Sequence, residues 1–378
     1  MKWLRMIEKV IQKLEDNRQR RINGDIIAIP WSTFPRLNTI LPGIQQGKSY
    51  LVGARTKVGK TQLCDYLFMY EPFEWWYSHR NDTDIIPSFK YFSLEMSSEL
   101  KWISAISYKL FKSHGIIISP QKLQSVFKDY VLGEDIMGIV KSASFQHWLK
   151  AFEDKVTFYD SIRNATGIFK KLQEDSLSRG SWTEKEVPWT NPDGSIVAKR
   201  VKDKFIYRNP NEYLIDITDH FGILHPEKGE NIYQAIQTFS SNYCIELRNN
   251  YNRIPVGVQQ MSADSADAAY TSGGKIILDK IKPTDRDLSD NKHSALDINV
   301  MISLFYPAAY GLPEYEGWDL ARIGKNHREL MVNLNRDGIS NASVQMLFLG
   351  ACNYFSELPR EPSEKVYQQI EKFNRETI

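Results

Sequence analysis

The chain of 378 residues is 42% apolar and 25% charged, as in an ordinary soluble globular protein, and no apolar run is long enough to cross a membrane. Its formal net charge of +2 at pH 7 excludes a broad basic surface, so any contact with nucleic acid must come from a few basic residues on particular loops. The three cysteines, Cys64, Cys244 and Cys352, are far apart in sequence, which argues against a disulfide framework or a zinc knuckle.

The N-terminal segment carries apolar residues at helical spacing, namely Trp3, Ile7, Val10, Ile11 and Leu14. This pattern predicts one amphipathic helix over residues 1–22, whose apolar stripe packs either on its own domain or on a neighbouring subunit. Charged residues interrupt the apolar ones, whereas a signal peptide requires an uninterrupted apolar core. We therefore expect a cytoplasmic protein.

A P-loop is predicted at residues 54–62, between an apolar strand at 49–52 and a helix. In such a loop, backbone N–H groups and a helix N-terminus hold phosphates, a lysine adds charge, and a hydroxyl binds magnesium. Lys60 and Thr61 match the last two roles. The first position holds Ala54 instead of the usual glycine, so the alternative is a glycine turn before an ordinary helix. The predicted nucleotide-binding residues are Ala54, Arg55, Thr56, Lys57, Val58, Gly59, Lys60, Thr61 and Gln62.

Two later strands are predicted to end in carboxylates. The first ends at Glu95, and the second, over 211–219, offers both Asp216 and Asp219. A carboxylate that orders magnesium stands at the end of its strand, which favours Asp219 and leaves Asp216 as the alternative. Residues 71–88 show no period and are interpreted as an aromatic and polar insertion, and residues 178–211 as an inserted surface hairpin without assigned chemistry.

The remaining segments continue the alternation of strands and helices. A strand at 253–260 ends in Gln259 and Gln260, and a loop follows that is rich in Ser, Ala, Asp and Gly. A hairpin turn presents Arg336, and a polar helix covers 361–378. We therefore predict one α/β domain over 23–360, with a mostly parallel central sheet flanked by helices.

The order of these motifs resembles the ATPase domain of DnaB-type replicative helicases, within the RecA-like P-loop superfamily, from about residue 29 to residue 357. The run Ser-Leu-Glu-Met-Ser around Glu95 is the most specific match, and Asp219 lies in a segment that looks like Walker B.

The resemblance implies a role for each matched residue, with ATP and Mg²⁺ as cofactors. Lys60 holds phosphate, Glu95 polarises the attacking water, and Thr61 with Asp219 orders magnesium. Gln260, or alternatively Gln259, senses the γ-phosphate. Arg336 is an arginine finger that acts in trans on a neighbouring subunit of a hexameric ring.

In rings of this superfamily the loop after the sensor strand faces the central pore, so Lys275, Lys280 and Lys282 are predicted to contact single-stranded DNA. A primase or a loader is a possible further partner, and a phage-infected or bacterial cytosol is the expected setting. The predicted function is therefore an ATP-driven DNA helicase or translocase in replication.

Two departures from the family leave alternatives open. Leu334 replaces a lysine that the family usually has two residues before the arginine finger, although Lys325 and Arg328 are near in sequence. No N-terminal primase-binding domain precedes the helix. A recombination or repair ATPase that forms filaments shares nearly every motif, and a nucleotide-dependent scaffold or helicase loader with little turnover is the third alternative.

Overall fold

The computed structural model describes residues 2–262, 274 and 276–376, and a nine-stranded sheet lies at its centre. Its strands, together with four from two small hairpins, are β1 (Tyr50–Ala54), β2 (Ile86–Ser93), β3 (Val156–Tyr159), β4 (Gly180–Thr190), β5 (Ile196–Tyr207), β6 (Glu212–Asp219), β7 (Ile254–Gln260), β8 (Val300–Phe305), β9 (Glu314–Tyr315), β10 (Trp318–Asp319), β11 (His327–Asn335), β12 (Ala342–Leu349) and β13 (Tyr354–Glu357).

The central sheet is mostly parallel. Its strand order is β13-β12-β11-β8-β1-β7-β6-β2-β3, in which the six strands from β8 to β3 run parallel and the three from β13 to β11 pair antiparallel. Every residue of β1 and β8 is buried, as expected for strands covered on both faces. The strand that leads into the P-loop is therefore the middle strand, and the predicted α/β class is confirmed.

Helices cover both faces of the sheet. They are α1 (Lys2–Ile22), α2 (Leu37–Ile40), α3 (Lys60–Asp65), α4 (Glu71–His79), α5 (Ser98–His114), α6 (Pro120–Leu123), α7 (Glu134–Lys141), α8 (Ala143–Lys155), α9 (Ala165–Arg179), α10 (Ile232–Gln237), α11 (Ile245–Tyr251), α12 (Leu278–Ile281), α13 (Ser294–Asp297), α14 (Leu320–Ile323) and α15 (Glu364–Glu376). No described helix is long and apolar enough to span a membrane.

Residues 71–88 differ in structure from the aperiodic insertion that we expected. A π-helical turn, Tyr66–Tyr70, joins α3 to α4, so the P-loop helix continues as far as His79. The extra residue of a π turn shifts the helical phase, which explains why no single period fits this stretch. Phe73 and Trp75 are buried here against the core.

Alternation along the strands sets which side chains face which layer. In β1, Tyr50, Val52 and Ala54 join one apolar cluster, while Leu51 joins the cluster on the opposite face. The same period of two applies to β6, so residues 215, 217 and 219 face one layer and residue 216 faces the other. This alternation separates the two candidate aspartates.

Two elements extend from the domain. The hairpin β4–β5 forms its own two-stranded antiparallel sheet, and near its base Trp182 and Phe205 pack against Tyr251. Helix α1 exposes an apolar stripe at i, i+3, i+4 and i+7 spacing. The exposed fractions are 52% for Ile7, 52% for Val10, 59% for Ile11 and 64% for Leu14.

Candidate active site

The loop after β1 has the backbone geometry that holds phosphates. Lys57 and Gly59 adopt positive φ angles of 63° and 108°, and α3 begins directly afterwards at Lys60. Gly59 is required here because a Cβ would both strain this φ and lie 3.1 Å from Cζ of Phe348. Successive N–H groups of such a loop and of a helix N-terminus form an anion site.

The end of β6 brings a carboxylate to this loop. The Thr61 hydroxyl donates a hydrogen bond of 3.1 Å to Oδ1 of Asp219, which is 1% exposed. A hydroxyl and a carboxylate are the hard oxygen ligands that Mg²⁺ prefers, so this pair fits a magnesium ion that phosphate oxygens and water complete. The described residues contain no group of three or more His, Cys, Asp or Glu side chains that could hold a metal on their own.

A buried charge network that sequence reasoning missed surrounds Asp219. Lys101 Nζ lies 3.0 Å from both carboxylate oxygens of Asp65, 2.7 Å from the Tyr91 hydroxyl and 3.6 Å from Oδ2 of Asp219. Tyr91 Oη lies 2.6 Å from Asp65 and 3.0 Å from Asp219, and its single proton can serve only one of them at a time. The network therefore ties α3, β2, α5 and β6 together behind the metal ligands.

Burial and opposite charge act together in this network. Burial raises the pKa of Asp65, although the Lys101 ammonium opposes the rise. Burial also disfavours the charge of Lys101, but the carboxylates of Asp65 and Asp219 outweigh it and raise the pKa of that lysine. The one sequence signal is that Lys101 lies in helical phase with the buried residues Ala105 and Tyr108, which places a lysine on an apolar face.

Asp216 belongs to a different, structural ion pair. Its carboxylate accepts hydrogen bonds of 2.6 Å and 2.5 Å from Nε and Nη2 of Arg253, which is completely buried. Arg253 also donates to Asp175 at 2.9 Å. This cluster lies on the sheet face opposite to Asp219, away from Thr61 and the P-loop.

Glu95 lies beside the P-loop, two residues after β2. Its side chain is 56% exposed and lines the same cavity as Lys60 and Thr61. The backbone N–H of Leu94 donates to the carbonyl of Asp219, which fixes the two strand ends side by side.

His220 is a further residue of this site that sequence reasoning missed. Its Nε2 lies 3.9 Å from Oε2 of Glu95, while burial, with a contribution from Lys60, lowers its pKa. The ring is therefore neutral at pH 7 and leaves the charge of Glu95 uncompensated. Its only signal in the sequence is its position directly after Asp219.

The two glutamines at the end of β7 occupy different environments. Gln260 donates to Oγ1 of Thr56 in the P-loop at 2.8 Å. Gln259 is fully buried, donates to the carbonyls of Ser289 and Asn291, and accepts from Ser294. Of the two glutamines, Gln260 is therefore the one that contacts the phosphate-binding loop.

Arg336 lies at the opposite end of the sheet from the P-loop. Asn335 pairs with Val300 and Val300 with Tyr50, so Arg336 follows a residue level with the start of β1, whereas the P-loop leaves its end at Ala54. Four residues of strand separate these levels by about 13 Å. Arg336 therefore lies far from the nucleotide site of its own subunit.

The residues near the missing family lysine also have defined places. Leu334 packs against the second apolar cluster. Arg328 is buried, donates from Nε to the carbonyl of Val58 at 2.8 Å, and stacks on Tyr306 with its guanidinium carbon 3.7 Å from the ring centre. Arg328 thus supports the P-loop backbone, and the carbonyl of Lys325 accepts one of its hydrogen bonds.

The lysines predicted to bind DNA are placed in part. Lys275 lies outside the described residues. Lys280 is exposed on α12, whereas Lys282 lies 3.9 Å from a carboxylate oxygen of Glu329 and 4.0 Å from one of Glu316. The start of this segment is attached to the P-loop strand, because the N–H of Met261 donates to the carbonyl of Ala54.

The comparison with known proteins identifies the fold. No protein-family model matches the chain, and no curated protein matches it. Among solved structures, the ATPase domain of a helicase is similar with a TM-score of 0.63 and 17% identity, over 93% of this chain and 99% of that domain. A DnaB-like replicative helicase, described with its interactions with primase, gives the same TM-score and identity over 93% of this chain and 66% of its own. The chain therefore has the RecA-like fold of DnaB-type helicase ATPase domains, as the sequence predicted.

Proposed function

We propose that this protein is an ATP-driven DNA helicase or translocase of the DnaB type, which acts in replication as a ring-shaped oligomer on single-stranded DNA. One observation carries the proposal. Lys60, Thr61, Asp219 and Glu95 converge at one edge of the sheet, while Arg336 lies at the other edge. Such a chain holds two complementary halves of an ATPase site that only neighbouring subunits can combine.

The chemistry requires alignment and charge, with no covalent intermediate. The P-loop amides and Lys60 hold the β- and γ-phosphates. Thr61 and Asp219 hold magnesium, which supplies charge to the phosphate oxygens. Glu95 is exposed to solvent in the same cavity, and the neighbouring ring of His220 is neutral, so this carboxylate is available to orient the attacking water.

The contact between Gln260 and Thr56 offers a route from hydrolysis to movement. A glutamine that senses the γ-phosphate shifts when the phosphate leaves, and the segment that follows it begins on the P-loop strand at Met261. We place single-stranded DNA on this segment, with Lys275 and Lys280 as its contacts. Lys282 is a weaker candidate because Glu329 and Glu316 compensate its charge.

Helix α1 favours a ring over a filament as the working assembly. Ile7, Val10, Ile11 and Leu14 are each more than half exposed, and this spacing forms one continuous apolar face. We assign that face to the neighbouring subunit. A recombinase-like filament would leave it without a partner.

The test combines ATP hydrolysis with electron microscopy. We expect wild-type protein with an ATP analogue and single-stranded DNA to form closed rings, and DNA to stimulate hydrolysis. The variant K60A should lose hydrolysis, and R336Q should lose it while still binding ATP, because only the trans contribution is removed. Filaments would favour the recombination alternative, and ATP binding without DNA-stimulated turnover would favour a scaffold or loader.

A further inference from the structure

Arg336 shares its anchoring segment with a second arginine, Arg248 of α11. Arg336 donates from Nε to the carbonyl of Ile298 at 2.7 Å and from Nη2 to the carbonyl of Leu296 at 2.5 Å. Arg248 donates from Nη1 to the intervening carbonyl of Asp297 at 2.9 Å and to Oδ1 of Asn299 at 3.2 Å. Consecutive carbonyls of one segment thus hold two guanidinium groups side by side.

Each guanidinium keeps one terminal nitrogen for another ligand. Nε of Arg248 donates to Oδ1 of Asn249 at 2.9 Å, so its Nε and Nη1 are engaged. Nη2 of Arg248 and Nη1 of Arg336 make no hydrogen bond to any residue that the structure describes. Arg336 is exposed and Arg248 half-buried. Both groups can therefore donate to an anion without giving up their anchors.

A third cation increases the positive charge at this edge. Lys48 pairs with Asp337, and burial with the charges of Lys13 and Arg248 lowers its pKa. The other acidic group of the cluster, Asp297, accepts hydrogen bonds from Ser240 and Ser241. Three cations beside two carboxylates leave a net positive charge, and holding like charges together costs free energy unless an anion binds.

We infer that Arg248 is a second phosphate-contacting residue, which acts with Arg336 on the terminal phosphate of a nucleoside triphosphate bound by the neighbouring subunit. This inference rests on the proposed function, in which that edge faces the neighbour's P-loop. It also assigns a source for the second positive charge, because Leu334 is apolar and Arg328 is committed to the P-loop of its own subunit.

The first experiment compares R248Q with R336Q and with the control R375Q, whose arginine is exposed on α15. Steady-state ATP hydrolysis is measured beside nucleotide affinity and sedimentation. We expect kcat to fall about 10- to 100-fold in R248Q, with nucleotide affinity and assembly unchanged, and R375Q to match the wild type. Unchanged kcat in R248Q would overturn the inference.

The double variant R248Q/R336Q distinguishes a second cation from a residue that only positions Arg336. If each guanidinium contacts phosphate, the double variant should be slower than R336Q by at least about fivefold. If the double variant equals R336Q, Arg248 acts only through Arg336 and the inference is wrong. Should R248Q fail to fold, R248K replaces it. That variant keeps the charge and should retain more than about a third of kcat, whereas a loss as deep as that of R336Q overturns the inference.

Mixing experiments separate this inference from the proposed function. K60A subunits cannot hydrolyse ATP but carry both arginines, so adding them to R336Q or to R248Q should restore hydrolysis if the residues act in trans. Restoration with neither variant refutes the trans arrangement itself. Restoration with R336Q but not with R248Q refutes only the role of Arg248.

Discussion

The two aspartates of β6 are expected to fail in opposite ways when each is replaced by asparagine. D216N should lower stability and preserve turnover, because Asp216 neutralises the buried Arg253 on the face away from the P-loop. D219N should preserve stability and abolish turnover, because Asp219 is the carboxylate that lies on Thr61.

The magnitude for D216N follows from its contacts. Breaking a buried ion pair costs about 3–5 kcal/mol, but asparagine keeps one acceptor and Asp175 still accepts from Arg253, so we expect about 2–4 kcal/mol. An unfolding entropy of about 2.1 cal/mol/K per residue means that 1 kcal/mol shifts the Tm of this chain by about 1.3 °C. The Tm of D216N should therefore fall by about 3–5 °C.

The expectation for D219N has the opposite balance. Asparagine can still accept from Thr61 or Tyr91, Lys101 keeps Asp65 as its partner, and one of two neighbouring buried negative charges is removed. Stability should change by less than about 1 kcal/mol. The loss of a charged metal ligand should lower kcat by about 100-fold or more and raise the magnesium concentration needed.

Thermal unfolding and ATP hydrolysis across a magnesium series are the assays, with D154N on the exposed face of α8 as the control. The reasoning is refuted if D216N loses turnover at saturating magnesium while D219N keeps it. That outcome would move the metal ligand by three residues, to the other face of the sheet.

Three further outcomes are expected. E95Q should bind ATP normally but hydrolyse it orders of magnitude more slowly, as measured by nucleotide binding and single turnover, because it removes only the charge that orients water. K275A/K280A should weaken single-stranded DNA binding, flatten its salt dependence and abolish DNA stimulation while basal hydrolysis survives, and an unchanged salt slope would remove this segment from the mechanism. Burial lowers the pKa of His327 to about 4, so the folded state favours the neutral ring; this stabilisation is complete above about pH 6.5 and declines as pH falls towards 4, by up to about 3 kcal/mol. Urea unfolding of H327F should lack that decline.

Sequence reasoning located the strands and the edge of the site because both depend on local patterns. A buried apolar run that ends in a carboxylate fixes where Asp219 stands, and period-two alternation then excludes Asp216 from the same face. The choice between Gln259 and Gln260 could not be made this way, since it depends on which backbone carbonyls and hydroxyls meet each amide.

The charge network around Lys101 lies beyond such patterns. Its members come from α3, β2, α5 and β6, and no spacing along the chain indicates that they meet. A buried lysine is costly unless paired, so the burial predicted from its helical phase requires an acidic partner. Which carboxylate satisfies it depends on the tertiary fold. The same holds for Arg248 and Arg336, which converge only through the segment 296–299.

The positions of the P-loop and of Arg336 give assembly a direct energetic role in catalysis. If α1 docks its four exposed apolar side chains on a neighbour, each already half-exposed group contributes about 1 kcal/mol, or about 4 kcal/mol for each interface. Such a contact holds subunits together without involving the nucleotide, so the interface that carries Arg248 and Arg336 is free to open and close during turnover. A chain with the two halves of its site about 13 Å apart along one strand level requires this division, because an interface that must release product cannot also be the main source of cohesion.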